Sequence, residues 1–263
     1  MKNLVIGVVG DSSLHKMWID GTKNFDLFLV YYGEIKNRYE NDGTYYANAK
    51  GSKFLIVDKI LQDYSQIISD YDAVLVPDDD LIMIAEDINR FFNMFHEYNL
   101  EIAQPAIIGW LSVPMVAPTL GNMLRYTNWV EIMTPCFSKD ALLKCQHTFS
   151  INRTNWGLDS LWHKIMGEPK DKFAVIDDVV AIHTRPCFYG DTYHRNNNSF
   201  DLAWQELRQL MKDYNLSLDK HVYGCIARNF QEFHERPSEQ KVYPNCPFLL
   251  KKLQEIHELR IML

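Results

Sequence analysis

Three consecutive aspartates, Asp78, Asp79 and Asp80, directly follow a short apolar run at residues 73–76 and Pro77. Neighbouring carboxylates repel one another unless a cation lies among them, and their hard oxygen atoms suit Mn²⁺ or Mg²⁺ bound to a diphosphate. Because alternate side chains of an extended segment point to the same side, Asp78 and Asp80 can reach one ion. The pattern predicts a metal site, and its alternative is a solvated turn.

A histidine near residue 180 is a candidate third ligand. His183 ends the apolar run that follows Asp177 and Asp178, which look like a second acidic strand end. A neutral imidazole can complete an oxygen-rich Mn²⁺ site, and a chain that returns to the sheet here could bring His183 beside Asp80. The alternative is a hydrogen-bonded structural histidine, and the sequence alone leaves both open.

Asp159 stands close to the start of a predicted helix, after Trp156 and Gly157. A carboxylate in the first turn of a helix is stabilised by the unpaired backbone amides, which is the structural interpretation. The functional interpretation is a general base that removes a proton from an attacking hydroxyl group.

The elements of secondary structure decide where these residues lie. Short apolar runs rich in β-branched residues predict strands, and apolar residues at helical spacing predict helices. Their alternation predicts an α/β class with a largely parallel sheet, in which ligands bind beyond the carboxyl ends of the strands. Gly10 and the three aspartates follow such ends. Strands are predicted at residues 4–9, 25–32, 73–76, 129–133 and 174–176, and helices at residues 54–68, 85–98, 139–145, 158–166, 200–214 and 248–263.

Composition and charge limit the class of protein to which the chain can belong. The chain has 263 residues, 47% of them hydrophobic, and no Ser/Gly- or Pro-rich linker, which predicts one domain with its own core. The net charge of −7 works against binding to nucleic acid. No apolar run approaches the roughly 18–20 residues of a membrane span, and the N-terminal run is interpreted as a strand rather than a leader. Five widely spaced cysteines without a C-x-x-C pair predict a reducing, cytoplasmic location.

Five sequence blocks, taken in order, resemble one family. They are YDAVLVPDDDLIM, LEIAQPAI, VEIMTPCFSKDALLKC, WGLDSLWHKIMG and VIDDVVAIHT, within roughly residues 50–190. They are similar to the Y-D-Y-I-F-L-W-D-E-D-L, L-E-I-S-Q-P-A, W-V-E-x-M-A-P-V-F-S, W-G-L-D and V-D-x-x-x-x-H patterns of a plant-rich family of domains of unknown function that is regarded as glycosyltransferase-like. Pro77 and Asp79 depart from that pattern, where the family has Trp and Glu, and the tail after residue 200 has no match.

The resemblance implies a GT-A fold, with a mostly parallel central sheet flanked by helices and a C-terminal helical appendage. The catalytic domain would comprise residues 1–200, and residues 201–263 would form a helical extension packed on the same domain. The implied reaction moves a sugar from a nucleotide-diphosphate donor, UDP favoured and GDP as the alternative, to a hydroxyl group of a saccharide or glycan. Mn²⁺ or Mg²⁺ would bind the diphosphate.

The resemblance also implies roles for individual residues. Asp78 and Asp80 look like the metal-binding D-x-D, His183 looks like the late histidine of many GT-A metal sites, and Asp159 looks like the acceptor-side base. One further group is expected to contact the donor, and it consists of Gly10, Asp11, Asp79 and either Lys50 or Lys53 of a stretch similar to the family's Q-T-K.

Tryptophans are the candidates for the acceptor side. Trp110 and Trp156, and also Trp129, could stack under an acceptor sugar, with core or rim packing as the alternative. The sequence does not decide between inversion and retention at the anomeric carbon. If the reaction retains configuration, Asp159 would position the acceptor instead of acting as a base.

Two other classes of protein compete with the transferase. One is a catalytically inactive sugar-binding or scaffolding protein that keeps the fold. The other is a metal-dependent phosphatase, which also uses D-x-D, but after the first strand and with Thr or Val two residues on. Here the three aspartates do not follow the first predicted strand, which is followed by Asp11 instead. The residue two positions after Asp80 is Ile82, which is neither Thr nor Val. The phosphatase pattern is therefore not met.

Overall fold

The fold is built on a parallel group of four strands near the N-terminus. In the computed structural model, which describes residues 1–186, 198–228 and 232–233, β1 (Asn3–Val9) is buried along its whole length. β2 (Phe25–Tyr31) pairs with β1, and β3 (Tyr45–Asn48) pairs with β2. β4 (Ala73–Leu75) pairs with the other side of β1. Strands covered on both faces are continuous apolar runs, which is why β1, β2 and β4 were predictable.

The remaining strands turn the sheet into a mixed one. Its order is β11-β10-β7-β9-β6-β8-β4-β1-β2-β3, with β5 paired to β9. β6 and β9 are parallel to each other, whereas the other pairs in this half are antiparallel. The predicted largely parallel arrangement therefore holds for β1 to β4 but not for the whole sheet. The strands of this half are β5 (Leu81–Ile82), β6 (Ile102–Gly109), β7 (Asn122–Thr127), β8 (Cys136–Ser138), β9 (Phe173–His183), β10 (Val222–Ala227) and β11 (Glu232–Phe233).

Helices cover both faces of the sheet, which confirms the predicted α/β class. Trp18 of α1 and Phe91 of α4 belong to the apolar cluster on one face. Phe54 of α2, Trp162 of α6 and Leu210 of α7 belong to the cluster on the other face. The helices are α1 (His15–Trp18), α2 (Lys53–Asp63), α3 (Ser65–Ile68), α4 (Ala85–Glu97), α5 (Lys139–Cys145), α6 (Leu158–Ile165) and α7 (Phe200–Tyr214).

Three predicted elements differ from the structure. The helix predicted at residues 54–68 is interrupted at Tyr64, which separates α2 from α3. Residues 129–133 form no strand, because Glu131 N–H donates to the Gln104 side chain instead of to a neighbouring strand. The strand predicted at 174–176 extends to His183, and Asp177 does not end it because the buried Arg125 guanidinium neutralises its carboxylate through two bonds of 2.8 Å.

The sheet continues past the domain boundary predicted at residue 200. α7 contributes Leu210 to the core, and β10 pairs with β7, so residues 201–227 supply a strand as well as a helix. The helix predicted at residues 248–263 lies outside the described residues. Among the helices that the structure describes, none is both long enough and apolar enough to cross a bilayer.

Candidate functional site

A cleft of about 380 Å³ opens beyond the carboxyl end of β4. That volume lies within the range of roughly 300–1,000 Å³ typical of small-molecule sites. The three aspartates and His183 lie at one end of the cleft, and Asp159 and Trp156 lie at another part of its wall. The structure thus brings the two sequence-predicted groups to one cavity.

The pairing of β5 with β9 places Asp80 beside His183. Leu81 is in register with His183, and the imidazole Nε2 lies 3.4 Å from the Asp80 Oδ2. The imidazole Nδ1 lies 2.6 Å from the Trp110 carbonyl oxygen. Gly109 has a φ of +94°, and a Cβ there would approach the His183 carbonyl oxygen to 2.3 Å, so this close approach requires glycine.

The charge on Asp80 dominates the chemistry of His183. Burial alone would lower the pKa of the imidazole, but the hydrogen bond and the charge of Asp80, together with the Trp110 carbonyl, raise the pKa of His183 to about 9. Asp80 is 7% exposed, and its Oδ1 has no hydrogen-bond partner in the described part of the chain. A buried carboxylate oxygen without a partner is costly, and a cation or a ligand donor would satisfy it.

Asp78 is hydrogen-bonded to Lys53. The Lys53 ammonium lies 2.5 Å from Asp78 Oδ1 and also donates to the carbonyls of Ile132 and Met133. Burial raises the pKa of Asp78, and the Lys53 charge opposes that rise. Lys53, expected at the donor, therefore joins the loop of aspartates to the segment before β8, and a donor contact for it stays a prediction.

Asp79 connects the ends of β4 and β1. Its Oδ2 accepts from Gly10 N–H at 2.7 Å and from the Tyr32 hydroxyl at 3.2 Å. Burial raises the pKa of Asp79 to about 6, although the Gly10 bond opposes it. A Cβ at Gly10 would lie 2.3 Å from the Tyr32 hydroxyl oxygen, so a larger residue there would displace the Tyr32 ring. Gly10 and Asp79, both predicted to bind the donor, hence adjoin the same strand ends.

The backbone of the three aspartates is tied to three other segments. Asp78 N–H donates to the Met133 carbonyl at 2.7 Å. The Asp79 carbonyl accepts from Leu14 N–H at 2.7 Å. The Asp80 carbonyl accepts from Thr184, through its N–H at 3.2 Å and its hydroxyl at 2.8 Å.

Of the predicted donor residues, only Asp79 lines the cleft, whereas Gly10, Asp11, Lys50 and Lys53 lie outside its wall. Asp11 accepts a hydrogen bond from the Tyr31 hydroxyl on its carboxylate and one from Arg38 on its carbonyl. The Lys50 ammonium donates to the carbonyl oxygens of Tyr32 and Gly33 and to Glu34, and its side chain is largely exposed. Asp11 thus lies near the strand ends but not on the cleft, and Lys50 faces the loop after β2.

Asp159 reaches the cleft from the first turn of α6, as predicted. Burial raises the pKa of its carboxyl group, and the charge of Lys220 is the largest effect that opposes the rise. The Lys220 ammonium lies 4.4 Å from the centre of the Trp129 ring. A carboxylate with a raised pKa beside an open cavity is suited to accept a proton from a bound hydroxyl group.

Aromatic rings line the cleft near Asp159. Trp156 makes edge contacts with Trp204 at 5.6 Å and with Phe200 at 5.7 Å between ring centroids. Trp156, Trp204 and the buried Trp129 line the cleft, whereas the 55% exposed Trp110 does not. An acceptor role for Trp110 therefore has no support from its position.

Two of the three predicted metal ligands, Asp80 and His183, lie side by side. Within residues 1–186 and 198–228, no three Asp, Glu, His or Cys side chains are grouped closely enough to hold an ion as they stand. Asp80 and His183 are adjacent, and the free Asp80 oxygen suits a hard cation. Asp78 lines the same cleft, and Lys53 occupies its Oδ1. The residues fit Mn²⁺ or Mg²⁺ in kind, and the metal stays a prediction.

No family model and no curated protein matches the chain. The resemblance to the plant-rich family therefore stays a prediction.

Several solved structures resemble the chain at low similarity. The chain resembles TarS of S. aureus (13% identity, TM-score 0.47), with 70% of this chain and 37% of TarS covered, so it spans about a third of the length of TarS. It resembles a candidate nucleotide-diphospho-sugar transferase from Desulfovibrio desulfuricans G20 (13% identity, TM-score 0.44), with 81% of this chain and 97% of that protein covered. It also resembles A197 from STIV (10% identity, TM-score 0.39), with 93% of this chain and 99% of A197 covered. At these values, function has to be inferred from the geometry of the cleft.

Several residues at the cleft were not singled out from the sequence. Arg185 lies 3.9 Å from Asp79 and donates to the Ser12 carbonyl, which places a cation at the acidic end. Glu131 and Ser112 form a hydrogen-bonded pair in the cleft wall. Glu131 stands in the block VEIMTPCFSKDALLKC, and a carboxylate within an otherwise apolar segment was the signal that could have pointed to it.

Proposed function

We propose that this protein is a metal-dependent glycosyltransferase of the GT-A type. The observation that carries the proposal is the pairing of Asp80 with His183 at the strand ends, with one buried carboxylate oxygen unpartnered in the described residues, in a cleft that also contains Asp159. An electrophile held at the acidic end would face a proton acceptor within the same cavity. That arrangement suits transfer of a group from a diphosphate to a hydroxyl.

The order of the parallel strands supports a nucleotide donor. From β1 the chain adds β2 and then β3 on one side. It then returns to add β4 on the other side of β1. In open α/β sheets, ligands bind in the crevice at such a reversal of strand order, beyond the carboxyl ends. Gly10 and Asp79 meet at that crevice. A UDP-sugar is the favoured donor in this proposal, and a GDP-sugar is the alternative.

Asp78, Asp80 and His183 are the residues that would hold Mn²⁺ or Mg²⁺. When bound, such an ion would neutralise charge on the diphosphate leaving group. Because a ligating imidazole has to be neutral, His183 would lose the proton that Asp80 now stabilises. Arg185 adds a second positive charge beside Asp79, at the end of the cleft where phosphate oxygens would lie.

Asp159 is the proposed base. It would take the proton of an acceptor hydroxyl while that oxygen bonds to the anomeric carbon and the bond from this carbon to the diphosphate breaks. Trp156 and Trp204 present ring surface beside Asp159, which supports a saccharide as the acceptor. The charge of Lys220 keeps Asp159 more acidic than burial alone would make it.

Thermal unfolding of the full chain tests the proposal. UDP-, GDP-, ADP- and CMP-sugars would each be added with and without Mn²⁺, to the wild type and to Asp80→Asn. We expect one nucleotide class to raise Tm only with Mn²⁺ and only in the wild type. Asp70→Asn is the matched control, because this exposed aspartate lies away from the cleft and pairs with Lys2, and it should respond like the wild type.

Two results would contradict the proposal. One is a response to nucleotide-sugars that Asp80→Asn retains in full. The other is the absence of any response in the wild type. Nucleotide-sugar binding without release of the nucleotide diphosphate, over a panel of saccharide acceptors, would instead favour a sugar-binding or scaffolding protein.

A further inference from the structure

Glu131 is a buried carboxyl group in the wall of the cleft, on the irregular segment between β7 and β8. The Ser112 hydroxyl holds its side chain by donating to Oε1, and the Gln104 side chain holds its backbone by accepting from the Glu131 N–H. Glu131 is 3% exposed, and Gln104 is fully buried. The second oxygen, Oε2, is buried and has no hydrogen-bond partner among residues 1–186 and 198–228.

Burial raises the pKa of Glu131 to about 8, with the Ser112 bond opposing the shift and the charge of Asp159 adding to it. The group is therefore protonated near neutral pH and can donate as well as accept a hydrogen bond. Leaving such a group unsatisfied costs folding free energy, and an apolar side chain in the same place would avoid that penalty. A ligand hydroxyl is a suitable partner for Oε2.

The charged groups around Glu131 come from both ends of the cleft. Asp159, on the acceptor side, raises the pKa of Glu131, and so does Asp78, on the acidic side. His183, also on the acidic side, lowers it. Glu131 thus interacts with charges of both the proposed diphosphate end and the proposed base, and it lines the same cleft as they do. In a transfer from diphosphate to acceptor, the part of the substrates that comes near both groups is the sugar being moved.

We propose that Glu131 binds a hydroxyl group of the transferred sugar and so contributes to the choice of donor sugar. The inference rests on the proposed glycosyltransferase function. Ser112 is the positioning residue, since its hydroxyl holds Oε1 and leaves Oε2 as the oxygen without a partner in the described residues. Recognition by a fixed polar group discriminates strongly against a sugar that lacks the matching hydroxyl, because the buried partner is then left unpaired.

The test compares binding of a nucleotide with binding of its sugar conjugate. Titration calorimetry with Mn²⁺ would use UDP, UDP-glucose, UDP-galactose and UDP-N-acetylglucosamine, with GDP and GDP-mannose as a second set. We expect Glu131→Leu to weaken binding of the preferred nucleotide-sugar about tenfold to a hundredfold, the range for loss of a hydrogen bond to a buried polar group. Affinity for the free nucleotide should be unchanged.

Glu131→Gln keeps the shape and the hydrogen-bonding capacity, so it should retain most of the sugar-dependent affinity. Ser112→Ala removes the hydroxyl that holds Oε1, so it should weaken binding of the nucleotide-sugar but not of the free nucleotide, and it serves as the test if Glu131→Leu does not fold. Glu97→Leu and Glu97→Gln, on the exposed end of α4, are the matched controls and should bind like the wild type.

The outcomes separate the two proposals. Equal loss of nucleotide and nucleotide-sugar binding in folded Glu131→Leu or Ser112→Ala, or no loss of either in these variants, would overturn the role of Glu131 and leave the transferase proposal standing. A wild type that binds none of these compounds with Mn²⁺ would overturn both.

Discussion

Replacement of Glu131 by glutamine should change how the stability of the fold depends on pH. The folded protein holds the proton of Glu131 up to about pH 8, whereas the ordinary pKa of a glutamate is 4.5. Between these values the unfolded chain binds fewer protons than the folded one, so the stability of the wild type falls as the pH rises. Glutamine does not titrate, and its variant lacks this contribution.

The structure sets the size of the effect. A shift of one pKa unit corresponds to about 1.4 kcal/mol, so a rise from 4.5 to about 8 bounds the contribution of Glu131 at about 5 kcal/mol. Relaxation of the cleft and entry of water weaken such effects, and we expect about 2–3 kcal/mol between pH 5 and pH 8.5. The stability advantage of Glu131→Gln over the wild type should grow by this amount across the window.

Urea unfolding at half-unit pH intervals, with EDTA to remove metal, measures the difference directly. Other groups titrate in the same range, including Asp79 and His183, but they are common to both proteins and largely cancel in the comparison. Glu97→Gln should run parallel to the wild type. Parallel curves for Glu131→Gln as well would refute the reasoning, since they would mean that Glu131 is ionised in the folded protein as it is in the unfolded chain.

Three further substitutions test other parts of the structure. Lys53→Met should lower the free energy of unfolding by about 1–3 kcal/mol in urea, because the Asp78 carboxylate and the Ile132 carbonyl lose their Lys53 donor, whereas Lys50→Met at an exposed site should have little effect. Asp159→Asn should keep metal-dependent nucleotide binding and slow transfer, and loss of binding would contradict its role as a base. Arg125→Met should cost about 3–5 kcal/mol by leaving Asp177 buried and unpaired, and a smaller change would show that the aspartate becomes protonated.

The parts of the fold that the sequence predicted are those with a strong local signal. β1 and β2 are continuous apolar runs, and α7 has one clear apolar face, so their positions were within about a residue of the structure. β5 has two residues and exists because β9 pairs with it. The break at Tyr64 between α2 and α3 was not predictable from the spacing of apolar residues, because that spacing continues through it.

The residues of the candidate site also differ in how far the sequence predicted them. The aspartates and His183 were predicted because strand ends are recognisable, and Asp159 because the start of α6 is. The isolated carboxylate of Glu131 is visible in the sequence, but its place in the cleft is not, since nothing local indicates that its segment turns there. Its position depends on Gln104, which lies 27 residues away in the chain.

The attachment of three successive backbone units to three distant segments has a consequence for ligand binding. Residues 78–80 take their shape from Met133, Leu14 and Thr184, so their carbonyls and amides are already immobilised before any ligand arrives. Little conformational entropy remains to be lost there on association, and a larger share of the contact energy appears as affinity. We therefore expect this end of the cleft to act as a rigid anchor, with adjustment to different substrates confined to the opposite, aromatic side.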